Sequence, residues 1–282
     1  MGTKRSWQGQ PVAMQNKPDT QSSDSAGPTI SIFENFRNEL DEHHDRRERI
    51  IKTSRDITAL SKKIIFALQR VRATNNPIPA NIAKENQTRL DQIQTLFTNI
   101  IPDLTGINTW RYRSISSGIQ EYIEAISFEH YLRTQTLITH AEVCERLPAG
   151  IMVTEEDYLM GLFDLTGEMM RFAVLSLSSG NAAATSTEPA ETEVTDAKKQ
   201  LPHLAASQAD LVVDLRTMRA GFEELSVPRK YNMLRDLHKK TEVMQNSVEK
   251  VERAAYGILV RGSERPSGWT PDLSAAVEVE AQ

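Results

Sequence analysis

At 282 residues with a formal charge of −5, the chain is long enough to bury one large core, and it is too acidic overall to draw nucleic acid by net charge alone. Its single cysteine, Cys144, excludes an internal disulfide framework and a cysteine-rich zinc site, which suits a reducing, intracellular compartment. The polar start (MGTKRSWQGQ) lacks the apolar core of a secretory signal, and no apolar run reaches the ~18–20 residues that cross a bilayer. The nearest, residues 158–177, is interrupted by Asp164, Glu168 and Arg171.

Residues 1–30 are rich in Gln, Ser, Asp and Gly without an apolar period and read as a disordered tail, in which Lys4 and Arg5 form a small basic pair that reads as solvated, with a nuclear signal as the alternative. Ser31-Ile-Phe-Glu34 has the form of a capping box and predicts a helix starting there and running to about residue 71. Phe36, Ile50, Ile57, Ile64 and Val71 fall on one seven-residue grid with His43 as its only polar member. Such a repeat suits a helix packed lengthwise on its neighbours. Asn75-Asn-Pro-Ile-Pro79 breaks the chain.

Further helices are predicted over residues 80–101, stopped by Pro102, then 109–136 and a short 140–147 before Pro148-Ala-Gly150. A second box-like signal, Thr154-Glu-Glu-Asp157, opens a helix to about residue 178. The Ala/Thr/Glu/Ser-rich stretch 179–200 reads as a disordered insertion. Helices over 207–225 and 228–261 follow, the second with a core line of Leu234, Leu237, Thr241, Met244, Val248, Val251, Ala255 and Ile258. Residues 263–282 read as a disordered tail. No stretch alternates like a strand for long, so the expected fold is all-α, an antiparallel bundle of seven helices over residues 31–262.

Two helices carry acids in apolar surroundings. Glu121 and Glu124 are three apart and Asp164 and Glu168 four apart, so each pair shares one side of its helix. Ile119, Ile123 and Ile126 mark the obvious core face of the first, while the second pair is flanked almost wholly by apolar residues. Charges in such settings need partners. Two facing pairs would make an all-oxygen site for a hard cation, Mg²⁺ or Mn²⁺, able to activate water against a phosphodiester. Ion pairing is the other reading, and Arg171 lies three residues beyond Glu168. Spacing alone leaves both open. The two Glu-x-x-His units of a di-iron bundle are lacking, as are G-x-S-x-G, P-loop and G-x-G-x-x-G motifs. Arg55, Lys62 and Lys63 on the first helix, with Arg111 and Arg113 in Trp110-Arg-Tyr-Arg113, are the candidates for RNA contact, against the plainer alternative of a solvated face.

Several of these segments carry a family resemblance. They are His44-Asp-Arg-Arg-Glu-Arg-Ile-Ile-Lys-Thr-Ser-Arg-Asp-Ile-Thr58 with Ser61-Lys-Lys63, Ile119-Gln-Glu-Tyr-Ile-Glu-Ala-Ile-Ser-Phe128, Asp164-Leu-Thr-Gly-Glu-Met-Met-Arg171, Lys250-Val-Glu252 and Val260-Arg-Gly-Ser-Glu264. In this order, over residues 32–266, they resemble the translin family. The Arg-Gly-Ser-Glu end and the retained acids favour its translin-associated factor X (TRAX) branch over translin itself. The resemblance implies a seven-helix bundle that assembles with translin into a hollow, hetero-octamer-like shell enclosing RNA. It implies a Mg²⁺-dependent endoribonuclease whose catalytic, metal-holding acids fall on Glu121, Glu124, Asp164 and Glu168. It implies small RNA substrates, among them nicked or passenger strands of silencing duplexes and tRNA-derived fragments, and work in cytoplasm and nucleus without a membrane. The rival reading is a non-catalytic scaffold that stabilises translin and shapes its RNA cavity. The sequence departs from the family in the low-complexity stretch after Ser178 and in residues 1–28, which lack a strong bipartite basic signal.

Overall fold

The computed structural model describes residues 28–183, 204–226, 234 and 236–261, so the expected disordered segments fall largely outside the described residues. The chain divides into two compact units, residues 1–45 and 46–282. Helix α1, Pro28–Leu68, runs through the boundary between them. It opens on proline, whose fixed φ and missing N–H cost nothing in a first turn. Helix α1 thus begins three residues before the start that the sequence predicts, with Ser31 within it. In the first unit Ile32, Phe33, Phe36 and Leu40 are exposed.

The second unit is a bundle. Along α1 the grid residues Ile50, Ile57 and Ile64 are fully buried. The chain breaks where Asn75 takes a left-handed φ of 56°, ahead of Pro77 and Pro79. Helix α2, Ala80–Ile100, is stopped as expected: Pro102 tightens the chain into a 3₁₀ turn, Ile101–Leu104. The single helix expected over 109–136 is interrupted. One turn, α3 (Asn108–Arg111), and a 3₁₀ turn, Arg113–Ile115, precede α4, Ser116–Thr134. The cause is Tyr112, which buries its ring and leaves the helical region at φ −109°, ψ 62°. The described residues therefore hold eight α-helices where seven were expected, the extra one being α3.

Helix α5, His140–Glu145, is capped by a reciprocal Thr139–Glu142 box, and α6, Glu155–Ala183, by the expected Thr154–Asp157 pair. Helix α6 outruns its expected stop at residue 178 by five residues. Helix α7 is Ala206–Glu223. The last helix, α8, is Leu237–Tyr256; Leu234, at a left-handed φ of 52°, separates it from residues 228–233 of the expected helix, which lie outside the described residues. It ends in a π turn, Gly257–Arg261. Its core line holds: Leu234, Met244, Val248, Val251, Ala255 and Ile258 are buried, and Leu237 and Thr241 half-buried.

Helix α4 is buried nearly all round, from Gly118 to Leu132, and its buried residues include the acids Glu124 and Glu129. It packs along α6, and α6 in turn on α7 and α8. Phe97 of α2 meets Tyr122 edge to face at 5.6 Å, and Ser54 of α1 accepts the Gly118 amide at 3.1 Å. Among the described residues there is no strand, and no helix is long and apolar enough to cross a membrane.

A candidate active site between the two central helices

Glu121 and Glu124 of α4 and Asp164 and Glu168 of α6 line one cleft of about 630 Å³. Two glycines set how closely the helices that build it approach. A Cβ on Gly161 of α6 would stand 2.7 Å from Ile123 Cγ2 and 3.0 Å from the Gln120 carbonyl, so α6 runs against the backbone of α4. One on Gly118 would meet the Ser54 carbonyl at 2.9 Å, so α1 is equally close on the other flank. The acids come from α4 and α6. Helix α1 adds Lys62 and Phe66, with Gln69 just past its end, and α8 adds Lys240 and Val243.

Each acid has its own setting. Glu121 Oε1 pairs with Lys62 Nζ at 3.2 Å, while Oε2 is buried without a hydrogen-bond partner. Glu168 accepts from Gln69 Nε2 at 2.8 Å and pairs with Arg171 at 2.9 Å. Asp164 pairs with Lys240. Glu124 is 8 % exposed. Burial, then the charges of Asp164, Glu121 and Glu168, push its carboxyl up to about 8, with Lys240 opposing. Burial also raises Glu121, against the pull of Lys62 and with a further push from Asp164.

The donor set is all oxygen, which fits a hard divalent cation, and the buried Glu121 Oε2, without a hydrogen-bond partner, is a further oxygen of that kind. Among the described residues no three such side chains converge tightly enough to hold an ion as they stand. The ammonium groups of Lys62 and Lys240 sit on two of the acids instead.

The five basic candidates part company. Lys62 lines the acid cleft; Lys63 lines a separate groove with Asp56 and Gln92; Arg55 and Arg111 are exposed on the surface. Arg113 is tied to Asp157 at 3.0 Å, and its guanidinium belongs to a buried network rather than an open face. Asp157, fully buried, also accepts from Ser116, from Gln120 at 3.1 Å and from Thr154 at 2.8 Å. Burial would raise it, but the hydrogen bonds from Ser116 and Thr154, the Arg113 charge and Gln120 together hold it below the usual carboxylate range. Sequence reasoning found the Thr154–Asp157 cap but not this network, because its other members lie 37–44 residues away. It also missed Lys240 and Gln69; neither stands in a motif, and only the fold carries them to the acids.

Comparison with known proteins agrees with this architecture. The chain resembles crystal structures of apo-NeC3PO (TM-score 0.56, 18 % identity, 81 % of this chain and 96 % of that one) and AfC3PO (0.52, 18 %, 82 % and 98 %), a likeness of fold. It is 32 % identical to translin-associated protein X of Rattus norvegicus over 88 % of its own length and 84 % of the relative's. The Schizosaccharomyces pombe homolog of that protein is 29 % identical (83 % and 89 %), and human translin 24 % (82 % and 92 %). The translin family model matches residues 45–262, which takes in the acid cleft and the helices that build it, and on that match the chain belongs to the translin family.

Proposed function

We propose that the chain is the catalytic subunit of a translin-containing complex, an endoribonuclease that hydrolyses phosphodiester bonds of small single-stranded or nicked RNAs with Mg²⁺. The observation that carries this is that four carboxylates line one cleft, one of them pushed up to about 8 by burial and by the other three. A structural cluster gains nothing from such crowding, whereas a site built for a cation relies on it. Glu121, Glu124, Asp164 and Glu168 would hold the ion, which when bound supplies charge neutralisation and an activated water.

The chain's own groups do the rest. Lys62, Lys240 and Arg171 place positive charge at the mouth of the cleft, where an RNA phosphate would otherwise be repelled. Gln69 holds Glu168 by side chain and backbone at once, donating to its Oε2 and, at 3.0 Å, to its carbonyl, which fixes one acid before substrate arrives. Glu124, whose carboxyl burial and the neighbouring acids push up to about 8 in the ion-free cleft, would give up its proton when a divalent cation is bound among these acids.

Cleavage by the complex co-expressed with its own translin tests the reading. It should require Mg²⁺, stop in EDTA, and fall about 100-fold or more on Glu124→Ala with assembly and RNA binding intact. Products should carry a 5′-phosphate and a 3′-hydroxyl; 2′,3′-cyclic phosphate ends would overturn the mechanism. The scaffold reading is favoured by one feature, the basic partners already on Glu121, Asp164 and Glu168. RNA binding without cleavage by the wild-type complex would establish it.

A further inference from the structure

Phe66 lies one turn beyond Lys62 on α1 and is 76 % exposed, yet it lines the acid cleft. Across from α1, helix α8 contributes a second exposed apolar side chain to the same cleft, Val243, 53 % exposed. The other charged groups at this mouth are the cations Lys62, Lys240 and Arg171. A phenylalanine left to water in a cleft shared with three cations and four carboxylates does nothing for the acids. It has the chemistry of a flat apolar platform beside a phosphate-attracting mouth.

We propose that Phe66 is a nucleobase platform: the base of one unpaired nucleotide stacks on its ring, with Val243 packing from the α8 side, while the phosphate of that nucleotide sits among Lys62, Lys240 and Arg171 above the acids. This rests on the phosphodiester reading and adds to it a reason for substrate choice. Stacking tolerates any base, because every base has a π face, but it demands that the base be free of a partner strand. A cleft of about 630 Å³ is of small-ligand size, room for a nucleotide rather than a helix of paired strands. Selection for single-stranded positions then comes from the cleft itself, without base-specific hydrogen bonds.

The test uses the assembled complex with Phe66→Ala, Phe66→Leu and Phe66→Trp. An oligoribonucleotide carrying 2-aminopurine at successive positions is bound in EDTA, where no cleavage occurs. Fluorescence should be quenched sharply at one position in the wild type and in Phe66→Trp, and not in Phe66→Ala or Phe66→Leu. With Mg²⁺, KM for single strands should rise about 10-fold or more in Phe66→Ala, with kcat changed less. An abasic nucleotide at the quenched position should weaken wild-type binding by a similar factor and Phe66→Ala binding no further. Quenching that Phe66→Ala leaves unchanged, or full function in Phe66→Leu, would overturn the proposal. A shift in assembly state caused by Phe66→Ala would also overturn it, since Phe66 would then be covered by another protein chain. If the complex binds but never cleaves, the catalytic reading fails while the quenching in EDTA still decides this one.

Discussion

Glu124 and Asp157 are both buried carboxylates near the contact of α4 with α6, and their environments drive them in opposite directions. Asp157 accepts hydrogen bonds from Arg113, Ser116, Gln120 and Thr154, which more than offset its burial and keep it ionised. Glu124 is surrounded by three further acids, and burial and repulsion together hold its proton. The first arrangement stabilises the fold and the second is held in place by it. Removing Asp157 should therefore be costly: Asp157→Ala leaves the Arg113 guanidinium without its carboxylate and the α6 capping box without its acid half, a loss of about 2–5 kcal/mol. The pH dependence has a definite sign. A carboxylate whose folded value lies below its ordinary 3.8 stabilises the protein fully above that pH, and the contribution is lost as pH falls further through the depressed value. Denaturant midpoints of wild type and Asp157→Asn should accordingly differ by a constant amount from pH 7 to about 4 and converge only below. Convergence already at pH 6 would mean that another group carries the effect.

At the scale of helices, the acid cleft depends on how closely α4 and α6 approach, and Gly161 is where a single methyl group would force them apart. The atoms that methyl would meet are Ile123 Cγ2 and Cβ, at 2.7 and 2.8 Å, and the Gln120 carbonyl next to Glu121, so relief requires the helices to separate. Gly161→Ala should cost about 1–3 kcal/mol in stability and should reduce cleavage more than it reduces RNA binding. Gly221 on α7 is the matched comparison. A Cβ there meets nothing within 4 Å, so Gly221→Ala should stabilise the chain by about 0.5–1 kcal/mol through helix propensity alone. Thermal unfolding of the two variants separates the cases, and a stabilised Gly161→Ala would show that the crossing can relax.

For the molecule as a whole, most elements were legible because their signals are local: prolines at 77, 79 and 102, the Thr154–Asp157 cap, and the periodic core lines of α1 and α8. The acid cleft was legible only in part: i, i+3 and i, i+4 spacing puts each pair on one side of its own helix, while the joining of the two pairs into one set came from the family resemblance. The break at Tyr112, the left-handed turn at Leu234 and the Arg113–Asp157 network escaped because each depends on a burial or a contact decided far away in sequence. The heptad grid itself misled in one respect. It is continuous from Phe36 to Val71, but Phe36 is 57 % exposed and Ile50 fully buried, so the pattern is one and the burial is not. Ile32, Phe33, Phe36 and Leu40 put large apolar side chains into water on a single helical stretch, an arrangement that monomeric proteins rarely sustain. The isolated chain should therefore self-associate, and co-expression with translin should yield a monodisperse hetero-oligomer. Replacing Phe33 and Phe36 together by serine should restore solubility to the isolated chain while abolishing capture by translin, as read by size-exclusion chromatography with light scattering. Both side chains are exposed, so the substitution leaves the residues 46–282 unit folded. A wild-type chain that runs alone as a soluble monomer, or a double variant that still assembles, would remove this helical stretch from the interface.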